Sequence, residues 1–178
     1  QEQRWLEMET KEIAEYIKEK WPIIKNLVFT GGEPFIHQDA WTELMKLLPE
    51  YTFEIETNAT LALKPEFEKL VTKINCSPKL SSSGNDEKSR ETINFPLYVA
   101  SSKATFKFVI VTPEDLNEVL GLIKKYDIPR NKVILMPEGR TKEELHEKSL
   151  WLAELAKENN FRFTPRLHVE LWGNRRGT

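Results

Sequence analysis

The chain's 178 residues, 39% apolar and 30% charged with a formal net charge of −2, suit one domain spanning 1–178 with a core of its own and exclude a disordered or collagen-like protein. No apolar run approaches the ~20 residues of a membrane span, no apolar signal region opens the sequence at Gln1-Glu2-Gln3-Arg4-Trp5, and the near-neutral charge argues against nucleic acid as a partner. The single cysteine, Cys76, excludes an internal disulfide framework and any site built from several cysteines of this chain; with neither signal nor disulfides, the expected compartment is the cytoplasm.

Thr10 to Trp21 predicts an amphipathic helix, with Ile13, Ala14, Ile17 and Trp21 on one face. Asn26 to Thr30 is a short apolar run with β-branched content and predicts a buried strand. Trp41, Leu44, Met45 and Leu48 recur at helical spacing, and Tyr51 to Glu56 alternates as a strand. Lys64 to Leu70 predicts a short helix opened by Pro65, followed by a strand over Val71 to Asn75. Ser81 to Asn85 is too polar to be core and predicts either a surface loop or a flap over a site. Ala104 to Val111 predicts a strand. Thr112-Pro113-Glu114-Asp115 predicts a helix start with Thr112 as cap, and Leu116, Val119, Leu120 and Ile123 form that helix's stripe. Lys132 to Met136 predicts a strand. Thr141 to Glu144 has the form of a capping box for a helix through Leu145, Leu152, Leu155 and Ala156. Phe161 to Trp172 predicts one or two strand segments around Pro165. The alternating order argues for an α/β fold with a mostly parallel sheet, open or partly closed as a barrel.

In such sheets ligands bind outside the carboxyl ends of the strands. Four polar clusters follow strands: Thr30-Gly31-Gly32-Glu33-Pro34, Glu56-Thr57-Asn58, Ser77-Pro78-Lys79, and Pro137-Glu138-Gly139. Parallel strands place all four on one rim. Gly31-Gly32 lets a ligand approach bare backbone, and exposed carbonyls with the Glu33 carboxylate suit an ammonium group; a plain tight turn is the alternative. Thr57 and Asn58 suit either a ribose or carboxylate contact or a turn cap. Ser77 and Lys79 suit a carboxylate or ribose, and Glu138 is otherwise a turn residue. Cys76 reads as packed and inert rather than nucleophilic. His37 and His146 read as solvated. With Leu167, Val169 and Leu171 on one face of an extended segment, His168 falls on the other with Glu170 and Trp172, as a satisfied core residue or a substrate contact. Arg175-Arg176 reads as a solvated tail.

Taken together, Thr30 to Pro34, Glu56 to Asn58, Ser77 to Lys79 and the ending Arg166-Leu-His-Val-Glu-Leu-Trp-Gly-Asn-Arg-Arg-Gly177 resemble the radical S-adenosylmethionine superfamily. Within it they resemble the 7-carboxy-7-deazaguanine synthase family of queuosine and deazapurine biosynthesis. The resemblance implies an incomplete (β/α) barrel and a lyase that ring-contracts 6-carboxy-5,6,7,8-tetrahydropterin with loss of ammonia. It implies S-adenosylmethionine, a 4Fe–4S cluster and Mg2+ as cofactors, a reductant such as flavodoxin, and a homodimer. By resemblance, Gly31, Gly32, Glu33, Thr57, Asn58, Ser77, Pro78 and Lys79 contact S-adenosylmethionine. Leu135, Met136, Pro137 and Glu138 flank it, and Thr30 and His168 contact the pterin.

One departure is large. The family binds its cluster through a CxxxCxxC loop after a first strand, upstream of the helix that starts here at Thr10. The present sequence has no such motif, and Cys76 stands elsewhere. Thiolate ligation of a cluster needs several cysteines. The expectation is therefore that first strand and cluster loop are missing from this sequence and that catalysis belongs to a longer parent chain. The rivals are another radical enzyme, such as a glycyl-radical activase, and a cluster-free relative that binds S-adenosylmethionine without catalysis.

Overall fold

Residues of alternating polarity in β-strands face opposite sides of a sheet, so a strand such as Ala104–Ile110 must present Phe106, Phe108 and Ile110 to one side and Thr105, Lys107 and Val109 to the other. The computed structural model describes residues 7–175 and shows this arrangement throughout. The start to Leu6, Arg176 of the basic pair and Gly177 of the C-terminal motif lie outside the described residues.

After α1 (Thr10–Lys20) the chain runs β1 (Asn26–Phe29), α2 (Gln38–Leu47), β2 (Thr52–Thr57), α3 (Pro65–Leu70) and β3 (Lys73–Cys76). Two short helices, α4 (Glu87–Arg90) and α5 (Phe95–Ala100), precede β4 (Ala104–Ile110). Then come α6 (Asp115–Tyr126), β5 (Val133–Pro137), α7 (Lys142–Glu158), β6 (Arg162–Phe163) and α8 (Leu167–Trp172). The six strands pair in sequential order, all parallel, and the sheet is not closed. Sequential parallel order with helical connections is the winding of a β/α barrel rather than of a doubly wound sheet, whose order reverses at a switch point.

The core lies on one side of that sheet. Phe29, Phe53, Ile55, Ile74, Cys76, Phe106, Phe108, Ile110, Val133 and Leu135 pack against Ala14, Ile17, Leu44, Met45, Phe67, Val119, Leu122, Leu152 and Ala156 of the helices. Phe29 stacks on Trp41 with ring centroids 4.6 Å apart and on Phe53 at 5.7 Å. The other side is open and largely polar. Asn26, Thr52, Glu54, Glu56, Lys73, Asn75, Thr105 and Lys107 stand there, partly or fully exposed. They bond to one another across strands: Thr52 Oγ1 to Asn26 at 2.9 Å, Asn75 to Glu54 at 3.3 Å, Thr105 to Asn75 at 3.3 Å, and Lys107 to Glu56 at 3.4 Å. β1 is therefore buried on one face only, and Val28, expected inside, is 47% exposed.

Local chemistry explains most element boundaries. Thr141 Oγ1 accepts from Glu144 N at 3.2 Å while the Glu144 carboxylate accepts from Thr141 N, the capping box expected of α7. α6 starts at Asp115 rather than beside Thr112, because the buried Asp115 carboxylate accepts from Val111 N at 2.7 Å and Thr112 N at 3.3 Å. Lysines close two of the helix ends. Lys103 Nζ donates to carbonyls of Glu68, Lys69 and Val71 after α3, and Lys132 Nζ to those of Val99 and Ser101 after α5.

The C-terminal expectation is overturned. Phe161 to Trp172 forms a two-residue strand and then a helix, α8, in which Val169 N and Glu170 N donate to Arg166 O. Val169 is buried and Leu167 and Leu171 are exposed. One buried residue per turn satisfies a short helix, whereas the two-face strand reading required all three to be covered. α4 and α5, which the sequence pattern did not announce, are also helical.

Candidate functional site

Three of the four strand-end clusters meet at one cavity on the rim of the sheet. A small cavity of about 210 Å³ there is lined by Thr30, Gly31, Gly32, Glu56, Thr57, Asn58, Ser77 and Lys79, from the ends of β1, β2 and β3. Gly31 has φ +134°, a backbone conformation open to glycine, and no atom lies within 4 Å of where a side chain would start on either glycine. Backbone is thus bare to a ligand along this turn.

Glu33 fastens the first two loops together. Its Oε1 accepts from Thr57 Oγ1 at 2.7 Å and from Phe35 N at 3.1 Å, and its Oε2 accepts from Asn58 N at 2.9 Å. Thr57, 3% exposed, also accepts from Ala59 N at 3.1 Å through the same hydroxyl. The Asn58 side-chain oxygen accepts from Thr60 N at 3.0 Å and Thr60 Oγ1 at 2.6 Å, a local turn that holds Ala59 at φ 63°. Of the two readings for these residues, the turn and cap geometry is the one seen for the Thr57 hydroxyl and the Asn58 oxygen. Glu33 holds the rim together rather than projecting freely into the cavity.

The third loop supplies the cation. Ser77 N donates to Thr57 O at 2.7 Å, Pro78 is buried, and Lys79 is exposed with no hydrogen bond or ion pair among the described residues. Lys79 and the two glycines line the same small cavity. Glu56, which opens the second strand-end cluster but carried no assigned role, completes the wall: it lines the cavity, accepts from Thr30 Oγ1 at 3.2 Å and pairs with Lys107. The period-two alternation of β2 is the signal for it, since Glu54 and Glu56 fall opposite Phe53 and Ile55.

Other expected residues stand apart. Leu135 and Pro137 are buried on the helix side of β5, and Met136 is on the open side. Glu138 pairs with Lys148 at 2.8 Å. None of these four lines the cavity. His168 is exposed on α8, and α8 is tied to the loop after β5 by Arg166 Nη1 donating to Gly139 O at 2.7 Å. Ser81 to Asn85 is an exposed turn that does not line the cavity either. Cys76 is fully buried, and burial, with the nearby Glu33 charge, pushes its thiol far above the ordinary range. It is neither nucleophile nor metal ligand at neutral pH. Among the described residues no group of three or more His, Cys, Asp or Glu is placed to hold a metal ion, and no helix is long and apolar enough to cross a membrane.

No family model matches the chain. It is similar to a 7-carboxy-7-deazaguanine synthase of Pyrobaculum aerophilum, 37% identical over 157 residues that cover 87% of this chain and 68% of the relative. A 7-carboxy-7-deazaguanine synthase of Halobacterium salinarum is 31% identical over 172 residues, covering 84% of this chain and 65% of the relative. One from Aquifex aeolicus is 37% identical over 153 residues, covering 81% and 63%. The chain thus spans about two thirds of the length of these curated relatives. Among solved structures, the crystal structure of QueE from Escherichia coli superposes with a TM-score of 0.65 at 22% identity, covering 88% of this chain and 63% of that one, a likeness of fold.

Proposed function

The chain belongs to the 7-carboxy-7-deazaguanine synthase family, and from that membership we propose that it forms the cosubstrate- and substrate-binding part of a radical S-adenosylmethionine lyase. The reaction is the ring contraction of 6-carboxy-5,6,7,8-tetrahydropterin to 7-carboxy-7-deazaguanine with loss of ammonia. The observation that carries this reading is the strand-end cavity, lined by the bare Gly31-Gly32 backbone and by Lys79, which has no ion pair among the described residues. An α-amino acid end needs such a pair: carbonyl acceptors for its ammonium and a cation for its carboxylate.

S-adenosylmethionine, when bound, supplies the hydrogen-abstracting group of this class of reaction. Gly31 and Gly32 accept its ammonium, Lys79 balances its carboxylate, and Ser77 and Asn58 donate to its polar edge. Glu33 and Thr57 keep the loops in register. Pro78 stiffens the third loop, and Leu135, Met136, Pro137 and Glu138 flank the far side. Thr30 and the exposed His168 face the pterin. The cavity accommodates the amino acid end, and the open polar side of the sheet, with Glu56 and Lys107, continues from it.

The residues present do not fit a 4Fe–4S cluster: the sequence holds one cysteine, which is buried with its thiol pushed up. Among the described residues no group of three or more His, Cys, Asp or Glu is placed to hold a metal ion, and Mg2+ takes one or two protein carboxylates beside water and substrate. Such a cluster takes no ligand from these residues. The electrons for the reaction come from a one-electron donor such as flavodoxin, and the assembly is the family's homodimer in the cytoplasm.

Equilibrium binding of S-adenosylmethionine to the purified chain tests the site. Lys79→Ala is expected to weaken binding at least about tenfold, the worth of one charge-assisted contact. Unchanged affinity in that variant refutes the assignment. In an active full-length parent, His168→Ala is expected to impair pterin turnover more than cosubstrate binding, and unchanged turnover counts against the substrate contact.

A further inference from the structure

The loop that carries Lys79 is anchored at both ends, and the second anchor comes from α6, no residue of which lines the cavity. At its start Ser77 N donates to Thr57 O. Past Lys79, Leu80 is 2% exposed and Ser81 opens a single 3-10 turn. Both donors of Ser81 go to one carboxylate: Ser81 N lies 2.8 Å and Ser81 Oγ 2.5 Å from Glu118 Oε2 on α6, 37 residues away. The other Glu118 oxygen accepts from Arg90 Nη1, and Arg90 Nε donates to Asn85 O at 2.9 Å. One carboxylate thus holds the beginning of the segment 81–90 and, through Arg90, its end. The Arg90 side chain is 10% exposed and that of Glu118 24%, so this junction is largely screened from water. Part burial opposes the charge on Glu118, but the bonds from Ser81 and Arg90 outweigh it and hold the carboxyl below its ordinary range.

We propose that Glu118 is a positioning residue for cosubstrate binding, acting through Ser81 to aim the Lys79 loop into the strand-end cavity. The inference rests on the reading of that cavity as the S-adenosylmethionine site. Leu80 alone sets the depth of the loop, because an apolar contact is non-directional. The two bonds to Glu118 set its direction. Without them the loop samples other orientations, and apparent affinity falls by the fraction of time the competent one is populated.

Ser81→Pro frees the loop from Glu118. Proline removes both donors and sets its Cδ where the amide hydrogen met the carboxylate, so Glu118 turns away from the loop with Arg90 left as its partner. The backbone accepts it: Leu80 has φ −90° and ψ 169°, the region favoured before proline, and Ser81 is the first residue of its turn. Isothermal titration of the 178-residue chain with S-adenosylmethionine is run well below the melting temperature on wild type, Ser81→Pro, Glu118→Gln and Lys79→Ala. The expected result is a dissociation constant raised roughly fivefold in Ser81→Pro and in Glu118→Gln, as for loss of charge-assisted bonds at a partly screened site. A merely stabilising contact would lower the melting temperature and leave the dissociation constant alone. Should Glu118→Gln fail to fold with Arg90 left uncompensated, Ser81→Pro decides. If Lys79→Ala weakens binding while Ser81→Pro binds as wild type does, the positioning role is overturned and the cavity assignment stands. If Lys79→Ala binds as wild type, or wild type does not bind, the cavity assignment fails and the positioning role falls with it.

Discussion

Thr57→Val is the sharpest test of how the rim is built. The substitution keeps the β-branched shape and removes one hydroxyl that does two things: it donates to Glu33 Oε1 at 2.7 Å and accepts from Ala59 N at 3.1 Å. Losing a donor to a carboxylate costs about 1.5–3 kcal/mol, and leaving a buried amide unpaired costs about 1–3 kcal/mol. Ala59 is 1% exposed, so water does not replace the lost acceptor without rearrangement. The added valine methyl returns under ~1 kcal/mol of burial, and Glu33 is partly open to solvent, so the net expectation is about 2–4 kcal/mol. For a chain of this size that corresponds to a fall in Tm of roughly 4–16 °C. Urea unfolding followed by circular dichroism, with Thr57→Ser as the control that keeps the hydroxyl, measures it. Thr57→Ser should remain within about 1 kcal/mol of wild type, losing one methyl. If Thr57→Val unfolds within ~0.5 kcal/mol of wild type, the Glu33–Thr57 link does not hold the loops together as argued.

Four further expectations follow from named contacts. Cys76 should resist a thiol reagent in the native chain and react freely once unfolded, with native labelling slower by at least about a hundredfold because thiolate is suppressed and access is closed; comparable rates would place it at the surface. Anaerobic treatment of the same chain with iron and sulfide should give no stoichiometric 4Fe–4S absorbance, since a lone buried thiol cannot ligate a cluster. The Glu118 and Glu91 carboxyls are held below their ordinary range, so their contribution is complete above about pH 4.5 and is lost as pH falls through the depressed values; the drop in urea midpoint between pH 7 and pH 3.5 should flatten in Glu118→Gln, and an equal drop in both would contradict the link. Lys103→Met should cost about 1–2 kcal/mol in thermal unfolding by stranding the carbonyls at the end of α3, and an unchanged Tm would show that water caps them equally well.

What was legible in the amino-acid sequence was what neighbouring residues decide among themselves. Thr141 and Glu144 are one turn apart, so their capping box can be read directly and fixes the start of α7. The Phe106, Phe108 and Ile110 alternation states which face of β4 is buried, and the repeated helix–strand order implies a parallel sheet whose strand ends share a rim. The clusters at Thr30 to Glu33, Thr57 to Asn58 and Ser77 to Lys79 are each contiguous in sequence, and the parallel pairing of neighbouring β1, β2 and β3 brings them together. Where two local signals competed, pattern was insufficient. Leu167, Val169 and Leu171, alternating over five residues, fit the strand period, and it was the burial of Val169 alone, with Arg166 O accepting from two amides, that made the segment α8.

Tertiary structure decided everything that depends on residues far apart in the chain. Nothing near Glu33 reveals that its carboxylate is taken up by Thr57 and Asn58, 24 and 25 positions on, and nothing near Ser81 points to Glu118, 37 positions on. The open polar side of the sheet is likewise a property of the winding. With all core side chains on the helix side, Glu54, Glu56, Lys73 and Lys107 are left to satisfy one another across strands. Local propensity reports the shape of a backbone over a few residues; which charge meets which donor is set when distant segments pack, because a charge half-removed from water must find a partner wherever the fold supplies one.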